Sequence, residues 1–91
     1  MKIEIIARKV IKCSVFKEGD KFVIEGAEVN MAESDKICVY ALSSFLPVLT
    51  AISKGVKFED FGIGSGDTGK LRCIETDGGV EFEIKIIKTT I

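Results

Sequence analysis

Three cysteines are the residues of this chain whose side chains are best suited to chemistry. Cys13, Cys38 and Cys73 lie far apart in the sequence, and none belongs to a Cys-x-x-Cys pair, so no local spacing predicts a metal site. Because free cysteine is among the most often buried residue types, packing in the core is the simplest interpretation. A second interpretation is a reactive thiol at Cys38 alone, since a helix start stabilises a thiolate.

A third interpretation is that folding brings the three sulfurs together. Cys38 is predicted in the first turn of a helix, Cys73 in a strand and Cys13 close to another strand. Three thiolates with one open coordination position suit zinc, another thiophilic metal ion or an iron–sulfur cluster better than a hard cation. Asp20 and Asp77 are the candidates for a fourth ligand.

The segment GSGDTGKL, residues 64–71, comes within one residue of a nucleotide-binding loop. Gly64, Gly69 and Lys70 fit the pattern G-x-x-x-x-G-K-[S/T], but leucine stands where Ser or Thr would ligate Mg²⁺. The motif must also open a helix, whereas the residues that follow it here are predicted to form a strand. We therefore predict a turn between two strands and no nucleotide site.

Other arrangements of polar residues point less clearly to catalysis. The chain has no histidine, which excludes Ser-His-Asp and Cys-His catalysis and removes the commonest general base. Glu81 and Glu83 share one face of a predicted strand, where alternating charges are usually only solvated. Ser43 and Ser44 precede a proline and are predicted to be buried and to bond the helix backbone. The sequence therefore favours a small accessory or binding protein without a catalytic site over an enzyme.

Length and composition predict one domain, residues 1–91. Thirteen Lys and Arg against fourteen Asp and Glu give a net charge of −1, which argues against nucleic-acid binding because that needs a basic face. Hydrophobic residues make up 46% and the mean hydropathy is +0.28. In so small a domain, some of this apolar surface is predicted to form a homo-oligomer interface.

The cellular location follows from the amino terminus and the cysteine count. The stretch MKIEIIARKVIK carries charges throughout, unlike a signal peptide. The longest apolar stretch contains two serines and a proline and is too short for a membrane span. An odd number of cysteines does not make a secreted disulfide framework. The sequence predicts a reduced, cytoplasmic protein that does not bind membranes.

The elements that must position these residues are four strands and one helix. Period-two alternation and β-branched residues predict strands at residues 2–11, 21–25, 71–76 and 80–88. Apolar residues at helical spacing predict a helix over residues 37–52, capped by Ser34 or Asp35 and either kinked or split at Pro47. Residues 27–34 and 56–70 are predicted loops. The result is an α+β fold, β-β-α-β-β, with an antiparallel sheet covered by the helix.

The segments around the cysteines resemble those of a family of short bacterial and archaeal proteins of unknown function. The matching residues are Cys13, Gly19, Asp20, Cys38, Ala41 and Cys73. Members often have proline after the first cysteine and tryptophan at the helix start, where this chain has Ser14 and Tyr40. The resemblance covers most of the chain. It implies a role for the cysteines and implies no particular activity.

Overall fold

The computed structural model describes residues 1–88 and places one long helix on one face of a six-stranded antiparallel sheet. The strands are β1 (Lys2–Ile11), β2 (Lys21–Glu25), β3 (Glu28–Val29), β4 (Gly64–Ser65), β5 (Thr68–Arg72) and β6 (Gly79–Ile87). The helices are a 3-10 turn (Met31–Glu33), α1 (Val39–Ser53) and α2 (Phe58–Phe61). The strand order in the sheet is β3-β2-β1-β6-β5-β4. The predicted α+β class, with one antiparallel sheet and one main helix, is confirmed.

The predicted β-β-α-β-β order omits four short elements. Residues 27–34, predicted as a loop, contain β3 and the 3-10 turn, and residues 56–70 contain α2, β4 and the start of β5. The third predicted strand begins earlier and ends at Arg72. Cys73 therefore lies just beyond a strand and not within one.

The core lies between α1 and the sheet, as the alternation along the strands requires. Its centre is a phenylalanine cluster formed by Phe16, Phe22, Phe45 and Phe82, all of them buried. The ring centroid of Phe82 lies 5.1 Å from that of Phe16 and 5.3 Å from that of Phe45, in edge-to-face geometry. Such pairs stabilise by about 0.5–1.5 kcal/mol beyond the burial of their area. This cluster joins the segment after β1, the helix α1 and the strand β6.

Helix α1 begins later than predicted, with Cys38 as its N-cap. Ser34 and Asp35, the predicted caps, instead bind backbone N–H groups of β2. Ser34 Oγ accepts from Val23 at 2.9 Å, and Asp35 Oδ2 accepts from Lys21 at 3.1 Å. The prediction of the cap was wrong because these side chains accept hydrogen bonds from backbone N–H groups of β2 and not from those of α1.

Pro47 does not split α1, which is assigned as one helix from Val39 to Ser53. The hydroxyl of Ser43 donates to the Val39 carbonyl, and that of Ser44 donates to the Tyr40 carbonyl at 2.8 Å. The predicted bonding of these serines to the backbone is confirmed, although Ser43 is exposed and not buried. Within residues 1–88 no helix has both the length and the apolar character needed to span a membrane.

An ion pair between Lys2 and Glu33 ties β1 to the 3-10 turn, with Lys2 Nζ 2.7 Å from Glu33 Oε2. The hydrogen bond from Lys2 lowers the pKa of the Glu33 carboxyl below its ordinary value. A carboxyl group whose pKa is lower in the folded than in the unfolded protein stabilises the fold at pH values above the unfolded pKa. This contribution is lost as the pH falls through the folded pKa.

We therefore expect Lys2→Met to lower the urea midpoint at neutral pH and to have a much smaller effect below about pH 3, where carboxyls are largely protonated. Urea unfolding of both proteins across this range measures the difference. A difference that stays constant with pH would contradict the assigned role of the ion pair.

Candidate functional site

The topology of the sheet brings the three cysteine-bearing segments to one edge. Strands β1 and β5 both run antiparallel to β6, so their carboxyl ends meet where β6 begins at Gly79. Cys13 follows β1, Cys73 follows β5, and Cys38 begins the helix that packs above them. All three line one cleft of about 630 Å³, a volume typical of small-ligand sites.

We call this feature the cysteine cleft. It is lined by residues 12–15, 37–40 and 73–76 and by Gly79. Each of the three segments thus contributes one thiol to a common space. No local pattern in the sequence predicts this, because the three segments meet only through the long-range pairing of β1 with β6.

Cys13 is held in a tight turn. The backbone of Lys12 has φ of +51°, a left-handed conformation that costs a residue with a side chain about 1–2 kcal/mol. The Phe16 backbone N–H donates to Cys13 Sγ at 3.4 Å. Residues other than glycine that have a positive φ often lie at functional sites. Here the turn at Lys12 places the next residue, Cys13, in the lining of the cysteine cleft.

Cys73 is held by the first residues of β6. Its N–H donates to the Val80 carbonyl at 3.1 Å, and the Val80 N–H donates back to Cys73 Sγ at 3.2 Å. Gly79 has φ of +96°, and a Cβ at this residue would lie 2.8 Å from Cys73 Sγ. The sulfur therefore packs directly on the backbone of Gly79, which only glycine permits.

Cys38 is the N-cap residue of α1. The sequence predicts it in the first turn of the helix, and the structure corrects this. Its carbonyl accepts the first helical hydrogen bond, from Leu42 N–H at 2.9 Å, while its side chain makes no capping hydrogen bond. The sulfur is therefore left available at the positive end of the helix dipole.

The thiols are free and half-buried. Within residues 1–88, no group of three or more Cys, Asp or Glu side chains lies close enough to hold one metal ion. Binding of one metal ion by all three cysteines would therefore require their side chains to leave the positions described here. The arrangement offers three sulfur donors on three walls of one cleft, but not a preassembled coordination sphere.

Neither predicted fourth ligand lies in the cysteine cleft. Asp20 Oδ2 accepts from the Lys17 N–H at 2.9 Å and caps the turn before β2. Asp77 is 85% exposed and lies 3.7 Å from the ammonium of Lys12. The carboxylate that does line the cleft is Glu75, which the sequence analysis missed although it stands two residues after Cys73.

The rim of the cysteine cleft is apolar and exposed. Val39, Tyr40 and Ile74 are between 64% and 69% exposed. Large apolar side chains that stand this far out of a small domain mark binding surfaces when they are contiguous. The sequence places Val39 and Tyr40 on the helix that covers the sheet. Only one face of such a helix is buried against the sheet.

The other candidate residues have structural roles. Residues 64–71 form the β4–β5 hairpin, so the predicted turn is confirmed, and the strand that follows cannot present the helix start of a nucleotide loop. Glu83 lies 2.7 Å from the guanidinium of Arg8, and Glu81 lies 3.9 Å from the ammonium of Lys9. Both carboxylates thus belong to ion pairs on the uncovered face of the sheet.

No family model, no curated protein and no solved structure matches this chain. The resemblance carried by the cysteine segments stays a prediction. The function has to be inferred from the geometry and chemistry of the cysteine cleft.

Proposed function

We propose that this protein is a small binding protein, not an enzyme, and that its ligand is a thiophilic metal ion held by Cys13, Cys38 and Cys73. The observation that carries the proposal is that three cysteines from distant parts of the chain all line the same cleft. All three cysteines also pack against the hydrophobic core, so the proposal rests on their shared opening to solvent.

The surroundings of the sulfurs support this proposal. In the positions described here the sulfurs of Cys13 and Cys73 each accept one backbone N–H, and Cys38 is the N-cap of α1 with no capping hydrogen bond from its side chain.

A binding role is favoured over thiol catalysis by Cys38. A nucleophilic cysteine is usually activated by an adjacent base, and the chain has no histidine. Among the described residues that line the cleft, Lys12 is the basic one, and its side chain is 73% exposed and paired with Asp77. Free thiols and a metal ligand set also fit a reducing compartment such as the cytoplasm.

Elemental analysis of protein purified without oxygen, together with thiol titration, tests the proposal. We expect at least one thiophilic metal ion per chain and three thiols that react only after the metal is chelated. Single Cys→Ser variants should lose affinity by more than the roughly 10–100-fold that removal of an outer-shell partner costs. Ser14→Ala is the matched control, because Ser14 lines the same cleft without a sulfur.

A second candidate function is favoured by the apolar rim. Val39, Tyr40 and Ile74 offer contacts to an apolar group of a protein partner, or to a second copy of this chain. In that case the protein would hold no metal, and the cysteines would only pack. Metal-free protein whose thiols react freely, and whose mass in solution depends on Tyr40, would support this second candidate and contradict the first.

A further inference from the structure

We infer that the outer face of α1 is a homodimer interface, against which a second copy of this chain packs its own α1 across a two-fold axis. The outer face of α1 is the side of the helix turned away from the sheet, and it includes the exposed residues Val39, Tyr40, Ser43, Leu46, Pro47 and Thr50. The inference does not depend on a metal ion in the cysteine cleft. It follows from the charge, the hydrogen bonds and the dimensions of this face.

The outer face of α1 carries no charge. None of residues 37–53 is charged, although Asp, Glu, Lys and Arg make up 30% of the chain. A helix on the surface of a monomer usually turns charged side chains to water, whereas this one exposes the large apolar side chains of Val39, Tyr40 and Leu46. Depletion of charge together with exposed tyrosine is the composition that distinguishes the centre of an interface from the rest of a protein surface.

The exposed serine hydroxyls of α1 are bonded to the helix itself. Ser43 Oγ donates to the carbonyl of Val39. Ser53 Oγ donates to the carbonyl of Thr50 at 2.7 Å. A polar group is costly to bury when it loses its hydrogen-bond partner, but these two donors keep theirs when water is removed. A partner can therefore cover this face without leaving either hydroxyl donor unpaired.

A face without charge is suited to contact with a second copy of itself. In a two-fold interface the same surface patch meets itself, so a charge close to the axis would lie opposite its own sign. The outer face of α1 avoids this repulsion along its whole length. The uncovered face of the sheet differs, because it carries ion pairs such as Lys21 with Glu4, 3.0 Å apart, whose desolvation would oppose a close contact.

The dimensions of the face also fit a dimer. Helix α1 has 15 residues and is therefore about 22 Å long. The protein has principal extents of 39 × 30 × 19 Å, so the broad face that α1 covers is larger than the roughly 800 Å² that one partner buries in a standard interface. Ser43, Pro47 and Thr50 follow one another at helical spacing along the middle of the outer face. Side chains this small allow two helix axes to approach to about 8–10 Å.

Sedimentation equilibrium of the reduced protein over a range of concentrations tests the inference. We expect twice the chain mass of 9.9 kDa at high concentration and dissociation on dilution. Ser43→Glu should raise the dissociation constant of the dimer by more than about 100-fold, because it places two like charges at the contact. Ser65→Glu is the matched control, since Ser65 is exposed on the edge strand β4, and this variant should keep the mass of the unaltered protein.

An equimolar mixture of Ser43→Glu and Ser43→Lys tests whether the contact joins two copies of α1. Each variant alone should be largely monomeric, and the mixture should regain the dimer because opposite charges then meet across the axis. Glutamate and lysine are better helix formers than serine, so both variants should keep the fold, and circular dichroism checks this.

Three outcomes would each overturn the inference: an unaltered protein that stays monomeric at every concentration up to the millimolar range, a dimer that Ser43→Glu leaves intact, or a mixture that stays monomeric. The first of these would leave the outer face of α1 to a protein of another kind. Metal analysis of the same samples keeps the result separate from the proposed function, because the dimer is expected with or without metal in the cysteine cleft.

Discussion

Replacement of Phe82 by alanine is expected to lower the free energy of unfolding by about 3–5 kcal/mol, the range for deletion of a buried aromatic side chain. Phe82 is 1% exposed and packs edge-to-face on Phe16 and Phe45, so its loss leaves a cavity that three segments share. Because small domains have a total stability of roughly 5–15 kcal/mol, the variant should be close to unfolding at physiological temperature.

Urea unfolding of the purified variant measures this loss, with Phe61→Ala as the control. Phe61 is 41% exposed, and its removal should cost about 1 kcal/mol or less, as for other surface substitutions. Cys13 of Phe82→Ala should also react faster with a thiol reagent, because Phe16, which packs on Phe82, donates its backbone N–H to the Cys13 sulfur. Equal losses for both variants would show that the phenylalanine cluster does not dominate the core.

Replacement of Gly79 by alanine should cost about 2–4 kcal/mol from two sources. The residue has φ of +96°, and its new Cβ would lie 2.8 Å from Cys73 Sγ. Gly55→Ala separates the two sources, because Gly55 has φ of +100° with no atom near the position of its Cβ. The difference between the two variants in unfolding free energy is then the cost of the close contacts, with Cys73 Sγ and with the Cβ and carbonyl oxygen of Glu75, which lie 3.3 Å from the new Cβ.

A double variant tests that contact directly. If Cβ and Sγ collide, Cys73→Ala should relieve part of the cost of Gly79→Ala, so that the two changes together cost less than their sum by about 1 kcal/mol or more. Additive effects, or equal costs at Gly79 and Gly55, would mean that Cys73 is not packed on the start of β6 as the structure shows.

The sequence predicted the elements whose signal is local. Alternation along residues 80–88 located β6 to within one residue at each end, and the helical spacing of apolar residues located the end of α1, predicted at residue 52 and observed at Ser53. The strand β2 was predicted with the bounds that the structure gives, residues 21–25. In each of these, the residues that decide the structure are neighbours in the chain.

The parts that were missed depend on contacts between distant residues. Ser34 and Asp35 have the chemistry of helix caps, but β2 competes for them and the helix begins at Val39. The three cysteine-bearing segments come together because β1 pairs with β6. The sequence of neither strand indicates which strand it pairs with. Glu75 could be assigned to the cleft only once Cys73 had been.

The central pairing of the sheet has a consequence for the kinetics of folding. The first strand pairs with the last along nearly its whole length, from Lys2 opposite Ile87 to Ile11 opposite Gly79. Contacts between residues so far apart in the sequence form slowly. Closing the long loop between them costs conformational entropy before the contacts can stabilise the fold. The β5–β6 hairpin and α1 are local and should form earlier. The three thiols would then stay exposed until the slowest step, and the rate at which they become protected would report directly on the folding transition state.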